Sequence, residues 1–149
     1  RERNDLNALL KEVCEMAFAN RELTGGTVLS LALSPELEPF PFDADQLRQV
    51  VWNIVLNAIQ VLTGDGTVTV RSGKDSGSAW LSVADTGPGI PESIRADLFK
   101  PFRTTKQQGT GLGMAIADRI VKAHGGRINV ETQLTRGTTF TVELPHLGD

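Results

Sequence analysis

The sequence contains few of the residues that characterise several large classes of protein. It has no tyrosine, one cysteine and two histidines, and aromatic residues make up only 5% of its 149 positions. A single cysteine excludes an internal disulfide, which fits a reducing compartment. That residue, Cys14, lies in an apolar helical pattern. We therefore expect it to be a small core residue.

Long hydrophobic runs and a basic charge excess are absent as well. No run approaches ~18 apolar residues, so the sequence predicts no transmembrane helix, and no signal peptide is visible. The net charge of -3 predicts neither a nucleic-acid surface nor direct membrane contact. The length suits one domain, residues 1–149, with a single core. The chain begins at Arg1, without Met and already in a helical pattern, so we expect a piece of a longer polypeptide.

Helical and strand periodicities alternate along the chain. Apolar spacing predicts helices over about 5–19, 43–62 and 111–123, the first two capped by Asp5 and Asp43. Alternation predicts strands over 27–33, 67–73, 79–85, 127–132 and 137–145. Residues 34–43 and 87–109 are predicted to be loops, and the second is long enough to be functional. This order predicts a two-layer α+β sandwich, with about three helices on one face of a mixed, mostly antiparallel sheet.

Four polar side chains occupy positions where an apolar core is expected. Asn53 and Asn57 lie one turn apart in the helical stretch "NIVLNAIQ". By the period of two, Asp85 and Thr138 share the inner faces of their strands with aliphatic and aromatic residues. A buried polar group needs a partner. Each has an ordinary explanation: hydrogen bonds between elements for the asparagines, a turn cap for Asp85, and a bond to local backbone for Thr138.

Two glycine clusters surround the long loop. Gly87 and Gly89 directly follow Asp85 and allow close approach of a ligand. Gly109, Gly111 and Gly113 lead into a predicted helix, whose first amides and positive dipole end favour phosphate. The second cluster matches neither the P-loop nor the dinucleotide-binding fingerprint, so alone it is a weak signal.

Other residues bear on metal and phosphate binding. The amide oxygen of Asn57 or Asn53 is a suitable hard ligand for Mg²⁺. Arg103 and Lys106 precede the second glycine cluster and could add positive charge to a phosphate site. Their alternative explanation is that they are solvated surface charges.

Taken in order, these motifs resemble the catalytic ATP-binding domain of sensor histidine kinases. That domain has the Bergerat fold, and its GHKL superfamily also includes type II topoisomerases, Hsp90 chaperones and MutL. The stretch "DQLRQVVWNIVLNAIQVL" resembles the N box, "DTGPGI" the G1 box, "LFKPFRTTK" the F box and "GTGLGMAI" the G2 box. "GTTFTVELP" resembles the closing strand, so the match covers nearly the whole chain.

The resemblance implies ATP and Mg²⁺ as cofactors and assigns roles to residues. Asn57 would ligate the Mg²⁺ that bridges the phosphates, and Asn53 would support it. Asp85 would accept from the exocyclic amine of adenine, and Thr138 would complete the adenine network directly or through water. The remaining contacts would be Gly87, Gly89 and Ile90 at the base and ribose, and Gly109, Thr110, Gly111, Leu112 and Gly113 at the phosphates.

The same resemblance implies a mobile ATP lid over about 87–108, pinned by Phe99 and Phe102. Arg103, Thr104 and Lys106 would belong to the ATP site, with Lys106 as a catalytic residue beside the two asparagines. Many relatives carry Lys or Arg at the position of Gln60. We therefore do not expect Gln60 to make that phosphate contact, and Lys106 is the stronger candidate for it.

Asn53 also bears on the type of reaction. Hydrolytic members of the superfamily carry a Glu at this position to activate water, whereas an amide cannot act as a general base. The resemblance therefore implies phosphoryl transfer to a histidine on a separate dimerisation domain, expected upstream of Arg1. The alternatives are a GHKL-type ATPase domain and a degenerate nucleotide-sensing interaction module.

The full protein would be a two-component sensor. It would act with the receiver domain of a response regulator, and this part would be a cytoplasmic domain of a sensor that is membrane-bound or not. The chain's own histidines are not expected to accept phosphate, because His124 is predicted to cap or pack a helix end and His146 lies in the C-terminal tail. We therefore expect no autophosphorylation by this fragment alone.

Overall fold

The computed structural model describes residues 2–91 and 113–145. Its helices are α1 (Leu6–Ala19), α2 (Arg21–Thr24), α3 (Ala44–Leu62) and α4 (Gly113–Ala123). Its strands are β1 (Arg3–Asn4), β2 (Val28–Ala32), β3 (Phe40–Pro41), β4 (Thr67–Asp75), β5 (Ser78–Asp85), β6 (Arg127–Gln133) and β7 (Gly137–Pro145).

The five longer strands form one mixed sheet in the order β2-β4-β5-β7-β6. Strand β2 pairs with β4 in parallel, and the other three pairs are antiparallel. The β4–β5 connection is tighter than predicted, because the strands extend to Asp75 and Ser78 and leave only two residues between them. Gly77, with φ of +78°, supplies the left-handed conformation that so short a turn requires. The predicted α+β architecture is confirmed.

The helices form the second layer, and their ends follow the predicted capping residues. The Asp5 carboxylate accepts from the Ala8 amide at 3.1 Å and begins α1. The Asp43 carboxylate accepts from the Gln46 amide at 3.0 Å and begins α3. Helix α3 packs on β4 and β5 and is flanked by α1 and α4. Its buried stripe meets the aliphatic faces of the strands, so α3 is the central element of the core.

The sequence did not predict the short elements. Helix α2, capped by Asn20, was missed, and the predicted loop over 34–43 contains strand β3, which pairs with β1. The side chain of Asn4 donates to the Phe42 carbonyl at 2.8 Å, so the N-terminal segment is bound to the entry of α3. Elements of two to four residues are too short to show a period. The pairing of β1 with β3 also joins residues 36 or more positions apart, which a local pattern cannot show.

Two expectations from composition can be compared with the structure. Cys14 is fully buried in the core, as predicted. Its burial, and to a smaller extent the negative charge of the nearby Glu15, raises the pKa of its thiol to about 11. Within residues 2–91 and 113–145, no helix combines the length and apolar character that crossing a bilayer requires.

Candidate functional site

Three polar residues form a row across the helix-facing side of the sheet. Asp85 on β5 lies directly opposite Thr138 on β7, which lies opposite Thr132 on β6. Asp85 is 7% exposed and Thr138 is 5% exposed, so both point inward as predicted. Residues opposite each other on antiparallel strands have Cβ atoms roughly 4.5–5.5 Å apart. The row therefore brings an acidic group and two hydroxyl groups together at one end of the sheet.

The Asp85 carboxylate also caps the turn that follows it. Its Oδ1 accepts from the Gly87 amide at 2.9 Å, so the turn-cap explanation of this residue is correct in part. A carboxylate has about four acceptor positions, so it can accept from several donors at once. The turn cap also fixes the orientation of the carboxylate, which is a requirement for recognising a ligand.

Thr132 is the site residue that the sequence reasoning missed. Its Oγ1 accepts from the Ile90 amide at 2.8 Å and lies 2.9 Å from Oγ1 of Thr138 and 3.3 Å from the Gly137 carbonyl. Its signal was available in the period of two, because Thr132 shares a face with the buried Val130 on β6. Thr132 therefore joins the row of polar residues to the segment after β5.

That segment, 86–90, is held by hydrogen bonds at several points. Oγ1 of Thr86 accepts from the Thr67 amide, and the Pro88 carbonyl accepts from the Thr135 amide at the β6–β7 turn. Gly89 has φ of +84°, and a Cβ built there would lie 2.5 Å from the Gln133 carbonyl oxygen. The fold itself therefore requires glycine at 89, in addition to any role in admitting a ligand.

A column of side chains on α3 connects the two ends of the site. Asn53, Asn57 and Val61 are spaced four apart and so lie on one face of the helix. At one end, Nδ2 of Asn53 donates to the Gly113 carbonyl at 3.2 Å, in the first turn of α4. At the other end, Val61 lies close to Gly87, since a Cβ on Gly87 would be 3.2 Å from Cγ2 of Val61. Half-buried Asn57 lies between these contacts.

The geometry separates the two asparagines. The predicted hydrogen bond between elements is observed for Asn53, which ties α3 to the start of α4. Because the acceptor is a carbonyl oxygen, this contact needs a side chain that carries a proton at that position. An amide satisfies it, and an ionised carboxylate does not.

His124 has the structural role that was predicted for it. It is 7% exposed, its Nδ1 donates to the Ile120 carbonyl at 2.9 Å, and its Nε2 accepts from the Asp43 amide at 3.0 Å. This pattern assigns the neutral tautomer with the proton on Nδ1. The ring therefore joins the end of α4 to the N-cap of α3 and uses both nitrogens in doing so.

Many of the predicted site residues lie outside the described residues. They are Phe99, Phe102, Arg103, Thr104, Lys106, Gly109, Thr110, Gly111 and Leu112, together with His146. Among the residues that are described, no group of three or more His, Cys, Asp or Glu could hold a metal ion.

Comparison with known proteins identifies the family. The sequence model described as histidine kinase-, DNA gyrase B-, and HSP90-like ATPase matches residues 42–148. The chain belongs to this family. It is an ATP-binding catalytic domain of the sensor histidine kinase type, as the individual relatives also indicate.

The sensor histidine kinase ZraS of Escherichia coli is 36% identical over 95% of this chain and 30% of its own length. The catalytic domain of histidine kinase ThkA superposes with a TM-score of 0.88 at 31% identity, covering 98% of this chain and 95% of that one. Full-length ShkA in complex with AMPPNP superposes with a TM-score of 0.86 at 34% identity, covering 98% of this chain and 31% of that one. This histidine kinase domain spans only 16–34% of the length of the curated relatives compared with it.

Proposed function

We propose that this domain binds Mg-ATP between the α3 column and the polar row at the end of the sheet. We further propose that it transfers the γ-phosphoryl group to a histidine on a separate dimerisation domain of the full protein. The observation that carries the proposal is the placement of Asp85 and Thr138 in one row, with Gly87 beside Asp85 and packed against the column that contains Asn57.

Asp85 and Thr138 would read the adenine base. The buried carboxylate accepts hydrogen bonds only, which suits the exocyclic amine of adenine, and the adjacent hydroxyl can serve the ring nitrogen. The capped, fixed orientation of Asp85 supports this role. Gly87, Gly89 and Ile90 would form the wall against the base and ribose.

Asn57 would provide the protein ligand to Mg²⁺. The donor chemistry fits, because an amide oxygen is a hard ligand, and Mg²⁺ usually takes one or two protein oxygens and completes its shell with phosphate and water. Such a site needs no group of three or more His, Cys, Asp or Glu, and residues 2–91 and 113–145 contain no such group that could hold a metal ion. The bound ion would neutralise charge that develops on the phosphates.

The first amides of α4, with the glycines before it, would hold the phosphates. The Asn53 bond to Gly113 supports this assignment, because it holds the start of that helix against the metal-binding helix. Arg103 and Lys106 remain proposed γ-phosphate contacts, with Lys106 and the two asparagines as the catalytic group. Phe102 and Thr104 remain proposed members of the ATP site, within a lid that we propose over about 91–108, because hydrogen bonds hold residues 86–90 in place.

Transfer to histidine is favoured over hydrolysis. In transfer, a neutral ring nitrogen of the acceptor histidine bonds to the γ-phosphorus as the bond to the β–γ bridging oxygen breaks, and ADP leaves. This reaction needs mainly positioning and charge stabilisation. Hydrolysis needs a base for water, and Asn53 is an amide whose Nδ2 is already used on Gly113. The partners of the full protein would be the dimerisation domain and a response regulator receiver domain, on the cytoplasmic side.

The proposal is tested by calorimetric titration of the domain with a non-hydrolysable ATP analogue, with and without Mg²⁺. We expect binding that strengthens with Mg²⁺, and no binding under either condition would refute the site. The isolated domain should neither hydrolyse ATP rapidly nor become phosphorylated. Phosphohistidine should form only when the upstream part of the natural protein is present, and rapid turnover of ATP by the domain alone would favour the ATPase alternative.

A further inference from the structure

Thr132 lies where β6, β7 and the segment after β5 meet. It contacts two residues of the proposed ATP site, Ile90 and Thr138, but has no assigned role of its own. We propose that Thr132 is a positioning residue of the adenine site. Its hydroxyl holds the Ile90 backbone and turns the Thr138 hydroxyl so that the Thr138 proton points at ring nitrogen N1 of adenine. This inference rests on the proposed function, because it assumes that adenine lies against Asp85 and Thr138.

The hydrogen-bonding capacity of Thr132 is used within the protein. A hydroxyl has one proton and two acceptor positions. The Ile90 amide, at 2.8 Å, takes one acceptor position. The Thr132 proton can go to the Gly137 carbonyl at 3.3 Å or to Oγ1 of Thr138 at 2.9 Å. If it goes to Gly137, the second acceptor position of Thr132 can accept from Thr138. Thr132 is therefore a group that acts on its neighbours rather than on the ligand.

Two proton arrangements satisfy these distances. In one, Thr138 donates to Thr132 and Thr132 donates to the Gly137 carbonyl, so Thr138 can only accept from a ligand. In the other, Thr132 donates to Thr138, and the Thr138 proton is directed into the pocket. The change between them sacrifices only the contact to Gly137, which at 3.3 Å is long for a bond between a hydroxyl and an oxygen. The donating form of Thr138 is therefore readily accessible.

The donating form matches adenine. Asp85 lies opposite Thr138 and, as a carboxylate, only accepts, so the pair presents an acceptor beside a donor. The edge of adenine presents an amino donor on C6 beside an acceptor at N1, which is the complementary order. A hydrogen bond received by Thr138 also polarises its own O–H group, which strengthens the bond it donates.

The rigidity of this junction also follows from the structure. Thr132 is β-branched and lies within a paired strand, so its χ1 angle is restricted. The same oxygen that directs Thr138 anchors Ile90, so the wall and the base-reading hydroxyl keep a fixed separation. Removal of the hydroxyl by Thr132→Val should affect both, and the two effects can be separated by the choice of nucleotide.

The experiment is calorimetry with Mg²⁺ and two non-hydrolysable nucleotides, an ATP analogue and its 1-deaza counterpart, which lacks the N1 acceptor. Thr132→Val should weaken the ATP analogue about tenfold and the 1-deaza analogue about twofold. Thr132→Ser, which keeps the hydroxyl, should stay within about twofold of the parent for both. A control, Thr139→Val, changes the neighbour of Thr138 on the opposite face of β7 and should change neither affinity.

A double-mutant cycle tests whether Thr132 acts through Thr138. In a Thr138→Val background, Thr132→Val should cause no further loss of preference for the ATP analogue over the 1-deaza analogue. Equal weakening of both nucleotides by Thr132→Val, or full additivity of the two substitutions, would overturn the inference. If Thr132→Val does not fold, Thr132→Ala provides the same comparison. Failure of the parent to bind either nucleotide would instead refute the ATP site on which the inference depends.

Discussion

Replacing the buried carboxylate of Asp85 by an amide tests the adenine assignment directly. In Asp85→Asn, Oδ1 can still accept from the Gly87 amide, so the turn that now shows a 2.9 Å bond should persist. The other end of the side chain would present an NH₂ group to the exocyclic amine of adenine. A donor then faces a donor, and a hydrogen bond to a charged acceptor is lost. We therefore expect the domain to fold and its affinity for nucleotide to fall.

The size of the loss follows from the kind of bond. A hydrogen bond to a charged group contributes about 1.5–3 kcal/mol, which corresponds to a decrease of roughly 10- to 150-fold in affinity. The assay is calorimetric titration with a non-hydrolysable ATP analogue and Mg²⁺, and thermal unfolding serves as the check on folding. Asp75→Asn is the matched control, because Asp75 is exposed at the far end of the same hairpin. If Asp85→Asn binds as tightly as the parent and the control, our placement of adenine is wrong.

Three other perturbations test separate parts of the structure. Asn57→Ala should weaken the ATP analogue by about tenfold or more and remove most of the Mg²⁺ dependence of binding, and retained dependence would exclude Asn57 as the ligand. Gly89→Ala should lower the free energy of unfolding by about 2 kcal/mol or more in urea denaturation, because φ is +84° and the new Cβ meets the Gln133 carbonyl. Gly64→Ala is its control, with φ of +92° and no atom within 4 Å, and equal losses would contradict the clash. The free energy of unfolding should fall by about 2 kcal/mol as pH rises from 9 to 11, because the pKa of Cys14 is raised from 9.0 to about 11 and the thiol ionises first in the unfolded chain. Cys14→Ala should lose that slope.

The sheet and the helices that follow long periodic segments were predictable from local patterns. The apolar face of α3 and the alternating apolar residues of β5 and β7 are the side chains that are buried away from water. Their spacing along the chain, about four in a helix and two in a strand, therefore predicts the element. The caps of Asp5 and Asp43 were predictable for the same reason, since capping involves residues within one turn. The short elements β1, β3 and α2 were not predictable, because residues distant in sequence or a single turn of chain define them.

The candidate site divides in the same way. Asp85, Thr138, Asn53 and Asn57 were identified because each is a polar residue in an apolar period. Thr132 was missed, although it obeys the same rule on β6, because the sequence alone does not show that β6 pairs with β7. Its importance comes from pairing, which places it opposite Thr138 and within 2.8 Å of the Ile90 amide.

By itself, the sequence determined the chemistry that this protein has available: an inward carboxylate, two amides one turn apart, glycines before a helix, and a single thiol in the core. Only the tertiary structure decided how these groups act on one another. It gave the Nδ2 of Asn53 to Gly113, the Oγ1 of Thr132 to Ile90 and Thr138, and the amide of Asp43 to His124. Hydrogen bonds depend on distance and direction between atoms from separate elements. Those quantities exist only once the chain has folded.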